Sequence, residues 1–382
     1  MKQVYLDNAA TTPMSSEVID VMVDKMQNVY GNASTGYGLG REASMVMEVA
    51  RRALAKSINA KETEIIFTSG GTESDNTAIF QTARSRAKLG KHIITTAIEH
   101  EAILQPLETL KQEAFEVTYL PVDEHGNISI DDFKNALRDD TILVSIMMGN
   151  NEVGSRMPIH EIGEILKNHQ AWFHTDAVQT YGLLDIDVKA DHIDMLSTSA
   201  HKINGPKMMG FLYKSNQTNF PSFIQGGEQE TKRRAGTENV PGIAAFQKAV
   251  EALTSETKAA RQTKYFGFKQ QIINGLKAND VNFEINGELN ENSLNHVFNI
   301  WIPGISTYIM QTNLDLAGFA VSGGSACTAG SLEPSHVLTA MFGEDSQRIS
   351  ESIRISFGRY TTEQEITDFI EALSSIYQRL TK

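Results

Sequence analysis

Three polar residues that could do chemistry together, Ser199, His201 and Lys202, come directly after a short apolar stretch of the sequence. Asp176 and Gln179 follow the preceding apolar stretch in the same way. Short apolar stretches of this kind are typical of buried strands, and open α/β sheets bind ligands at the carboxyl ends of their strands. We therefore interpret these five residues as parts of one site rather than as solvated surface.

The residue types in this set favour a particular cofactor. A lysine amine can form a Schiff base with an aldehyde, and an aspartate can keep a pyridine nitrogen protonated so that the ring accepts electrons. Pyridoxal phosphate requires both groups, which Lys202 and Asp176 would supply, with Ser199 and His201 beside its phosphate. An isolated His-Lys pair is usually part of a solvated loop, so the cluster alone leaves that alternative open.

A glycine pair marks a second candidate part of the site. The sequence IIFTSGGTESDN passes from an apolar stretch through Gly70 and Gly71 into a helical pattern that starts near Thr72. The first turn of a helix has free N–H groups, which suit a phosphate. The turn lacks a Walker lysine, and a tight turn without a ligand remains an alternative. The glycine-rich stretch at residues 31–42 lacks the dinucleotide-binding spacing, and we interpret it as a mobile loop near the site.

The elements that position these residues follow from the hydrophobic pattern. Short apolar stretches alternate with helical patterns from residue 65 to residue 214, which predicts an α/β fold with a mostly parallel sheet covered by helices on both faces. Polar clusters follow four of the stretches, at residues 99–100, 150–152, 176–179 and 199–202. Four clusters at equivalent strand ends are typical of an active site.

The pattern changes towards the C-terminus. Residues from about 249 to 276 have a helical pattern, and short antiparallel strands are expected around VNFEI, HVFNIWI and SIRISFG. Since 382 residues exceed what one core normally supports, we expect a second, smaller α+β domain. Strand alternation places Arg354 opposite the apolar face of SIRISFG, where it could bind a substrate carboxylate or lie at the surface.

The sequence has a single cysteine, Cys327, within AVSGGSACTAGS. One cysteine excludes an intrachain disulfide and any multi-cysteine metal site. The small neighbouring residues suit a nucleophile that must travel, whereas an exposed inert cysteine is the alternative. His160 and Glu161 are followed by Glu164 rather than by the histidine of a zinc helix, and we expect no metal.

Composition limits the partners and the compartment. The formal net charge of −13 argues against nonspecific nucleic-acid binding, which needs clustered lysine and arginine. The sequence begins with MKQVYLDNAATTP, which lacks the apolar core of a secretory peptide, and no apolar run approaches the roughly 18 residues of a membrane span. We expect a cytoplasmic protein without direct membrane contact.

With these residues identified, the chain resembles the cysteine desulfurases with a short cysteine loop, which are fold-type-I pyridoxal-phosphate enzymes of the class-V aminotransferase superfamily. The resemblance runs almost from end to end, through the motifs YLDNAATTP, SGGTESDN, NNEVG, DAVQ, SAHKINGPKMMG, RRAGTEN, SGGSACTAGSLEPSHVL and SIRISFGRYTT. It implies a cofactor-binding large domain (15–255) with a mostly parallel seven-stranded sheet. The small α+β domain (1–14 and 256–382) would carry the cysteine loop and the substrate arginine.

The resemblance also implies roles for individual residues. Lys202 carries the cofactor, Asp176 pairs with the pyridine nitrogen, and His100 stacks on the ring and transfers protons. Gln179 and Asn151 contact the ring oxygen of the cofactor. The phosphate is held by the turn at Gly71 and by Thr72, Ser199 and His201. Thr237 reaches the phosphate across a dimer interface. Asn32 and Arg354 hold the substrate carboxylate, and Cys327 accepts the sulfur.

The implied reaction converts L-cysteine to L-alanine and leaves a persulfide on Cys327. The implied partners are a second copy of the chain and a sulfur-acceptor protein, an iron–sulfur scaffold or a tRNA thiolase. Departures at Gly36 and Tyr37, and at Glu228, put the details of those loops in doubt. A selenocysteine lyase or an aminotransferase on the same fold, or an inactive scaffold that binds acceptor proteins, remain alternatives, and Cys327 favours desulfuration.

Overall fold

The computed structural model describes residues 3–323 and 334–382. These residues form three sheets. The strands are β1 (Val4–Tyr5), β2 (Ile65–Thr68), β3 (His92–Thr96), β4 (Glu116–Leu120), β5 (Thr141–Ser145), β6 (Trp172–Asp176), β7 (Met195–Ser197), β8 (Gly210–Lys214), β9 (Glu284–Asn286), β10 (Val297–Trp301), β11 (Phe319–Ala320) and β12 (Ser352–Ser356).

Helices cover the sheets. They are α1 (Ser16–Asn28), α2 (Gly38–Lys56), α3 (Gly71–Arg86), α4 (Glu101–Gln112), α5 (Ile130–Ala136), α6 (Ile159–Leu166), α7 (Gln229–Lys232), α8 (Val240–Glu251), α9 (Ser255–Ala278), α10 (Thr307–Leu316), α11 (His336–Phe342), α12 (Arg348–Glu351) and α13 (Glu363–Leu380), with 3₁₀ turns at Glu62–Glu64 and Ala200–Lys202. Within the described ranges, none of these helices has the length and apolar character needed to cross a membrane.

The largest sheet has seven strands in the order β2-β8-β7-β6-β5-β3-β4. Its pairs are parallel except that β8 runs antiparallel to both of its neighbours, β2 and β7. The prediction of an α/β fold with a mostly parallel sheet is confirmed. β8 is reversed because the connection from β7 contains a 3₁₀ turn and no crossover helix, which a parallel pairing would require.

The second sheet is antiparallel, in the order β12-β10-β9, and it contains the three C-terminal strands that the sequence predicts. The N-terminal strand β1 pairs in parallel with β11. Leu6, Phe268 and Phe357 are buried in the same apolar cluster. The first residues of the chain therefore pack with the last third of the sequence.

The division into two domains stays a proposal, and the apolar clusters support it. One cluster joins Val4 and Leu6 to side chains between residues 265 and 376, together with Leu183. The two other clusters draw on side chains between residues 18 and 250. Helix α11 departs from this division, because Val337 and Leu338 pack with the cluster of the large sheet although they lie in the proposed small domain.

Two helix boundaries differ from the sequence interpretation. Helix α2 begins at Gly38, so part of the predicted mobile loop is helical. A Cβ at Gly40 would lie 2.3 Å from the carbonyl oxygen of Thr35, and only glycine permits this close approach of the loop to the helix. The helix expected from about residue 249 to 276 is interrupted before α9, where the side chain of Thr254 caps the new helix by accepting from the N–H of Thr257.

Candidate active site

The predicted site residues lie beyond the carboxyl ends of four parallel strands. His100 follows β3, Asn151 follows β5, Asp176 ends β6, and Ser199 and Lys202 follow β7. β5, β6 and β7 are neighbours in the sheet, and β3 lies beside β5. Because parallel strands end at the same edge, the sheet gathers residues that are about a hundred positions apart in sequence.

Lys202 is half-buried at the end of the 3₁₀ turn Ala200–Lys202. Its Nζ donates hydrogen bonds to the carbonyl oxygens of Ala9 and Ala10, the latter at 2.8 Å. The N-terminal segment is fixed over this turn because Thr12 donates both its N–H and its hydroxyl to the carbonyl of His201, at 2.9 and 2.7 Å. The position of the amine therefore depends on residues at the start of the chain.

His201 lies beside this amine as a neutral ring. Burial, followed by the charges of Lys202, Lys207 and His100, lowers the pKa of His201 to about 4. Its Nδ1 lies 3.0 Å from the hydroxyl of Thr11. At neutral pH His201 therefore offers hydrogen bonds rather than a positive charge.

Asp176 is buried at the end of β6, and its Oδ1 accepts a hydrogen bond of 2.8 Å from the N–H of Val178. Burial raises the pKa of Asp176, and the neighbouring His100 ring, the N–H of Val178 and the Lys202 amine oppose the rise. Two further buried carboxyls interact with it. Burial and the Asp176 charge raise the pKa of Asp75 well above its usual range, and burial raises the pKa of Glu99 to about 8.

Three buried carboxyls this close cannot all be ionised. The Val178 N–H and the Lys202 amine favour the ionised form of Asp176, whereas burial and the Asp176 charge raise the pKa of Asp75 and burial raises that of Glu99. Glu99 is held by the hydroxyl of Thr96 at 2.7 Å and by the N–H of Met147 at 2.9 Å. Asp176 would be the ionised partner that a protonated pyridine nitrogen needs.

The residues beneath Asp176 were missed by the sequence reasoning. His174 is fully buried, and its ring nitrogens lie 2.9 Å from the hydroxyl of Ser145 and 3.0 Å from that of Ser197. Burial lowers the pKa of His174 to about 3, and its Nε2 lies 3.6 Å from Asp75 Oδ1. A sequence signal existed for this histidine, because residues two apart on a strand share one face and His174 precedes Asp176 by two.

The glycine turn after β2 lies against Ser199. A Cβ at Gly71 would be 2.7 Å from the Val178 side chain and 4.0 Å from the Ser199 Cβ, so a larger residue would close the space. Gly70 has a φ of 145°, a backbone conformation that glycine adopts readily. Gly71 and exposed Thr72 begin the 16-residue helix α3. The start of α3 therefore lies against the Ser199 side chain.

His100 caps helix α4. Its Nδ1 accepts a hydrogen bond of 3.1 Å from the N–H of Ala102. A neutral imidazole whose Nδ1 accepts must carry its proton on Nε2. Nε2 is therefore the atom of His100 that can hold or release a proton.

Arg354 on β12 is buried, with 1% of its surface exposed, so the surface alternative is wrong. Its guanidinium donates to Asp7 Oδ1 at 2.9 Å and to the carbonyl of Asn151 at 3.0 Å. Among the described residues its Nε has no partner. Asp7, which the sequence reasoning also missed, fixes the guanidinium beside the site, and burial raises the pKa of Asp7 although Arg354 opposes the rise.

Two predicted residues, Asn32 and Thr237, are less closely tied to this centre. Asn32 is exposed, and its side-chain oxygen accepts a hydrogen bond from the N–H of Ser34; no hydrogen bond joins it to Arg354. Thr237 is exposed in the loop before α8. Arg234 of that loop pairs with Glu73 at 2.9 Å, which brings the loop to the start of α3.

Cys327 lies outside the described residues. The residues on either side of the undescribed segment attach to the site. Ser322 pairs with Arg354 through two backbone hydrogen bonds of 2.6 and 3.0 Å. Ser335 donates to Glu152 Oε2 at 2.6 Å, and His336 Nε2 lies 2.8 Å from the Glu99 carbonyl.

These groups fit pyridoxal phosphate. Lys202 would supply the amine, buried Asp176 the carboxylate, and the Gly71 turn with Ser199 the hydrogen-bond donors for the phosphate. When bound, this cofactor supplies an electron sink that activates the bonds around the α-carbon of an amino acid. Within the described ranges, no cluster of three or more His, Cys, Asp or Glu side chains could hold a metal ion.

Comparisons with known proteins agree with this fit. The aminotransferase class-V family matches residues 4–369. A Bacillus subtilis (strain 168) relative that carries the name IscS 1 is 52% identical over all of both chains. A Methanosarcina thermophila protein named "Cysteine desulfurase IscS" is 45% identical over 99% of this chain and 93% of its own length.

Solved structures give the same result. A structure described as a NifS-like protein superimposes with a TM-score of 0.91 at 34% identity, over 99% of this chain and all of the other. A structure described as "SspA in complex with cysteine" superimposes with a TM-score of 0.81 at 34% identity, over 94% of this chain and 99% of the other. Fold and sequence agree with these proteins over nearly the whole length, and the chain belongs to the aminotransferase class-V family and, within it, to the cysteine desulfurases, which are pyridoxal phosphate enzymes.

Proposed function

We propose that the enzyme converts L-cysteine to L-alanine and holds the sulfur as a persulfide on Cys327. The carbon–sulfur bond of the substrate breaks, a sulfur–sulfur bond to Cys327 forms, and a proton replaces the sulfur on the β-carbon. Cysteine and one thiol thus become alanine and one persulfide. The observation that carries the proposal is that Lys202 and buried Asp176 lie at the carboxyl ends of neighbouring strands and that buried Arg354 of the second sheet donates to the Asn151 carbonyl at the same end, and the named relatives support it.

Arg354 would bind the substrate carboxylate. Its guanidinium is buried and held by Asp7, and its Nε retains a donor without a partner among the described residues. A buried guanidinium binds a carboxylate through two parallel hydrogen bonds. Asn32 would complete this contact by moving from the exposed position described above, as its place in the family motif suggests.

His100 and Lys202 would handle the protons. The Nδ1 of His100 accepts from the N–H of Ala102, so a proton that His100 exchanges would be held on its Nε2. A positioned histidine typically accelerates such a step by about 10²- to 10⁴-fold. The Lys202 amine would accept or return the α-proton once the substrate has displaced it.

The expected result with purified holoenzyme, L-cysteine and a reductant is release of alanine and sulfide in equal amounts. Amino-acid analysis and a colorimetric sulfide assay measure the two products in parallel. Alanine formed from selenocysteine but not from cysteine would favour a selenocysteine lyase, and amino transfer to a 2-oxo acid without sulfide would favour an aminotransferase. Cofactor binding without any turnover would indicate an inactive scaffold.

We also propose a homodimer in which Thr237 contacts the cofactor phosphate of the partner's site. The support is the exposed position of Thr237 at the end of a loop that Arg234 fixes to Glu73. Exposed apolar side chains on α1 and α2, including Val23, Met26 and Met45, offer surface for a second copy.

Thr237→Val is expected to weaken cofactor binding by roughly 10- to 100-fold, because one hydrogen bond to a charged group is lost. Absorbance titration of the apoenzyme measures this affinity, and Thr263→Val, an exposed threonine on α9, is the control. A mixed dimer of Thr237→Val and Lys202→Ala chains should regain wild-type affinity in the site that has Lys202. If Thr237 acted within its own chain, that site would stay weak, and an active monomer in light scattering would refute the dimer.

The acceptor of the sulfur would be a protein of iron–sulfur cluster assembly or of tRNA thiolation. We propose a cytoplasmic location, because a lone catalytic cysteine needs a compartment that keeps thiols reduced. A pull-down with the persulfidated enzyme would identify the acceptor.

A further inference from the structure

His296 is a buried histidine that no role described above uses. It lies directly before β10, with 7% of its surface exposed. Its Nε2 is 2.8 Å from the side-chain oxygen of Gln179. Gln179 is the residue whose family position implies contact with the ring oxygen of the cofactor.

The protonation state of His296 follows from its surroundings. Burial, followed by the charges of Lys269 on α9, Lys202 at the site and Arg354 on β12, lowers the pKa of His296 to about 3. The ring is therefore neutral at every pH at which the enzyme would work. Its Nδ1 is buried without a hydrogen-bond partner among the described residues.

The tautomer of His296 follows from its hydrogen-bond partner, Gln179. The Gln179 oxygen can only accept a hydrogen bond, so the single ring proton of His296 lies on Nε2. The opposite side of the amide is fixed as well, because Gln179 Nε2 donates to the carbonyl of Ala9 at 3.1 Å. Turning the amide over would place its oxygen against that carbonyl, where two acceptors repel.

We infer that His296 is a positioning residue that orients the Gln179 amide, so that Gln179 donates a hydrogen bond to the cofactor ring oxygen and does not accept one. An amide nitrogen has two hydrogens, and the Ala9 carbonyl takes one of them. The second hydrogen is the donor that the orientation leaves for the ring oxygen. The inference rests on the proposed function of Gln179 as a cofactor contact.

The orientation has a measurable consequence. A donor at the ring oxygen would stabilise negative charge there and would make the Lys202 nitrogen, once joined to the cofactor, less basic. Loss of the donor would raise the pH at which the visible absorption of the holoenzyme changes. We expect His296→Phe to raise this midpoint by about one pH unit, a tenfold change in the equilibrium.

The variants separate orientation from packing. His296→Phe keeps a ring of similar volume and removes the donor, whereas the amide of His296→Gln can place an N–H near the original Nε2 and should restore the wild-type midpoint. The control is His92→Gln, a buried histidine at the amino end of β3 whose ring nitrogens contact Thr141 and Thr118. His92→Gln should lower the thermal unfolding temperature and leave the midpoint unchanged. If the His296→Phe protein does not fold, the same measurement is made on His296→Met.

Gln179→Leu distinguishes failure of this inference from failure of the proposed function. If the Gln179 contact exists, Gln179→Leu raises the midpoint. Adding His296→Phe then raises it no further, because both changes remove the same hydrogen-bond donor. If Gln179→Leu raises the midpoint but His296→Phe leaves it unchanged, the proposed role of His296 is wrong. A midpoint that neither change alters would overturn the Gln179 contact, and with it the inference.

Discussion

Lys202→Ala is expected to abolish turnover of L-cysteine, by roughly 10⁴-fold or more, and to remove the visible absorption of the bound cofactor. The physical reason is chemical, since alanine has no amine with which to hold the aldehyde. The protein should remain folded, because the Lys202 side chain is half-buried and its Nζ donates to the Ala9 and Ala10 carbonyls rather than filling an apolar core. Absorption spectra and alanine release measure the two effects.

The matched control for this change is Lys207→Ala. Lys207 is exposed and lies five residues further along the chain. Its removal should leave both the absorption band and the rate of alanine release close to those of the wild type. A normal visible spectrum in Lys202→Ala would contradict the assignment of the cofactor lysine.

Cys327→Ser is the second change with a large expected effect. The variant should still bind cofactor and L-cysteine, because Lys202, Asp176 and Arg354 are unchanged. It should form no persulfide and should release alanine roughly 100-fold more slowly or worse, since a hydroxyl is a poor nucleophile towards sulfur. Even in the wild type only a few per cent of an unperturbed thiol is ionised near neutrality, so a neighbouring group must accept its proton.

Alanine and sulfide release, measured for wild type and Cys327→Ser side by side, test this role. Ser325→Ala, two residues away in the same segment, serves as the control for effects of substitution alone. Equal alanine release from wild type and Cys327→Ser would show that the thiol takes no part in the reaction. That outcome would favour the aminotransferase alternative, whose chemistry needs the amine and the cofactor only.

The sequence predicted those parts of the fold that depend on local pattern. The apolar stretches expected before the polar clusters at residues 99–100 and 176–179 are β3 (His92–Thr96) and β6 (Trp172–Asp176), because short, mainly apolar stretches bounded by polar residues indicate buried strands. The reversed direction of β8 carried no local signal, since strand direction is set by the connection and by the neighbouring strands. The start of α2 at Gly38 also could not be predicted from the local pattern, because Gly40 is required there for close packing against Thr35.

Prediction of the site from the sequence was limited in the same way to residues with a local signal. Lys202, Asp176 and His100 could be found because each follows an apolar stretch and carries a reactive side chain. Asp7, Asp75 and His296 act through partners that are distant in sequence: Arg354 for Asp7, His174 for Asp75, and Gln179 for His296. Such pairings depend on tertiary packing, and no spacing of residues within the sequence predicts them.

The segment that binds the Lys202 amine also has a consequence for biosynthesis. Asn8 donates its side-chain amide to the carbonyl of Ser356 at 3.0 Å, a contact between residues 348 positions apart, and the N–H of Ala9 donates to the Ser356 hydroxyl at 2.8 Å. The segment that holds the lysine is therefore fixed by residues that are translated long after it. The carbonyls that orient the lysine reach their positions only after translation of β12, so a nascent chain lacks the complete site until that strand has been made.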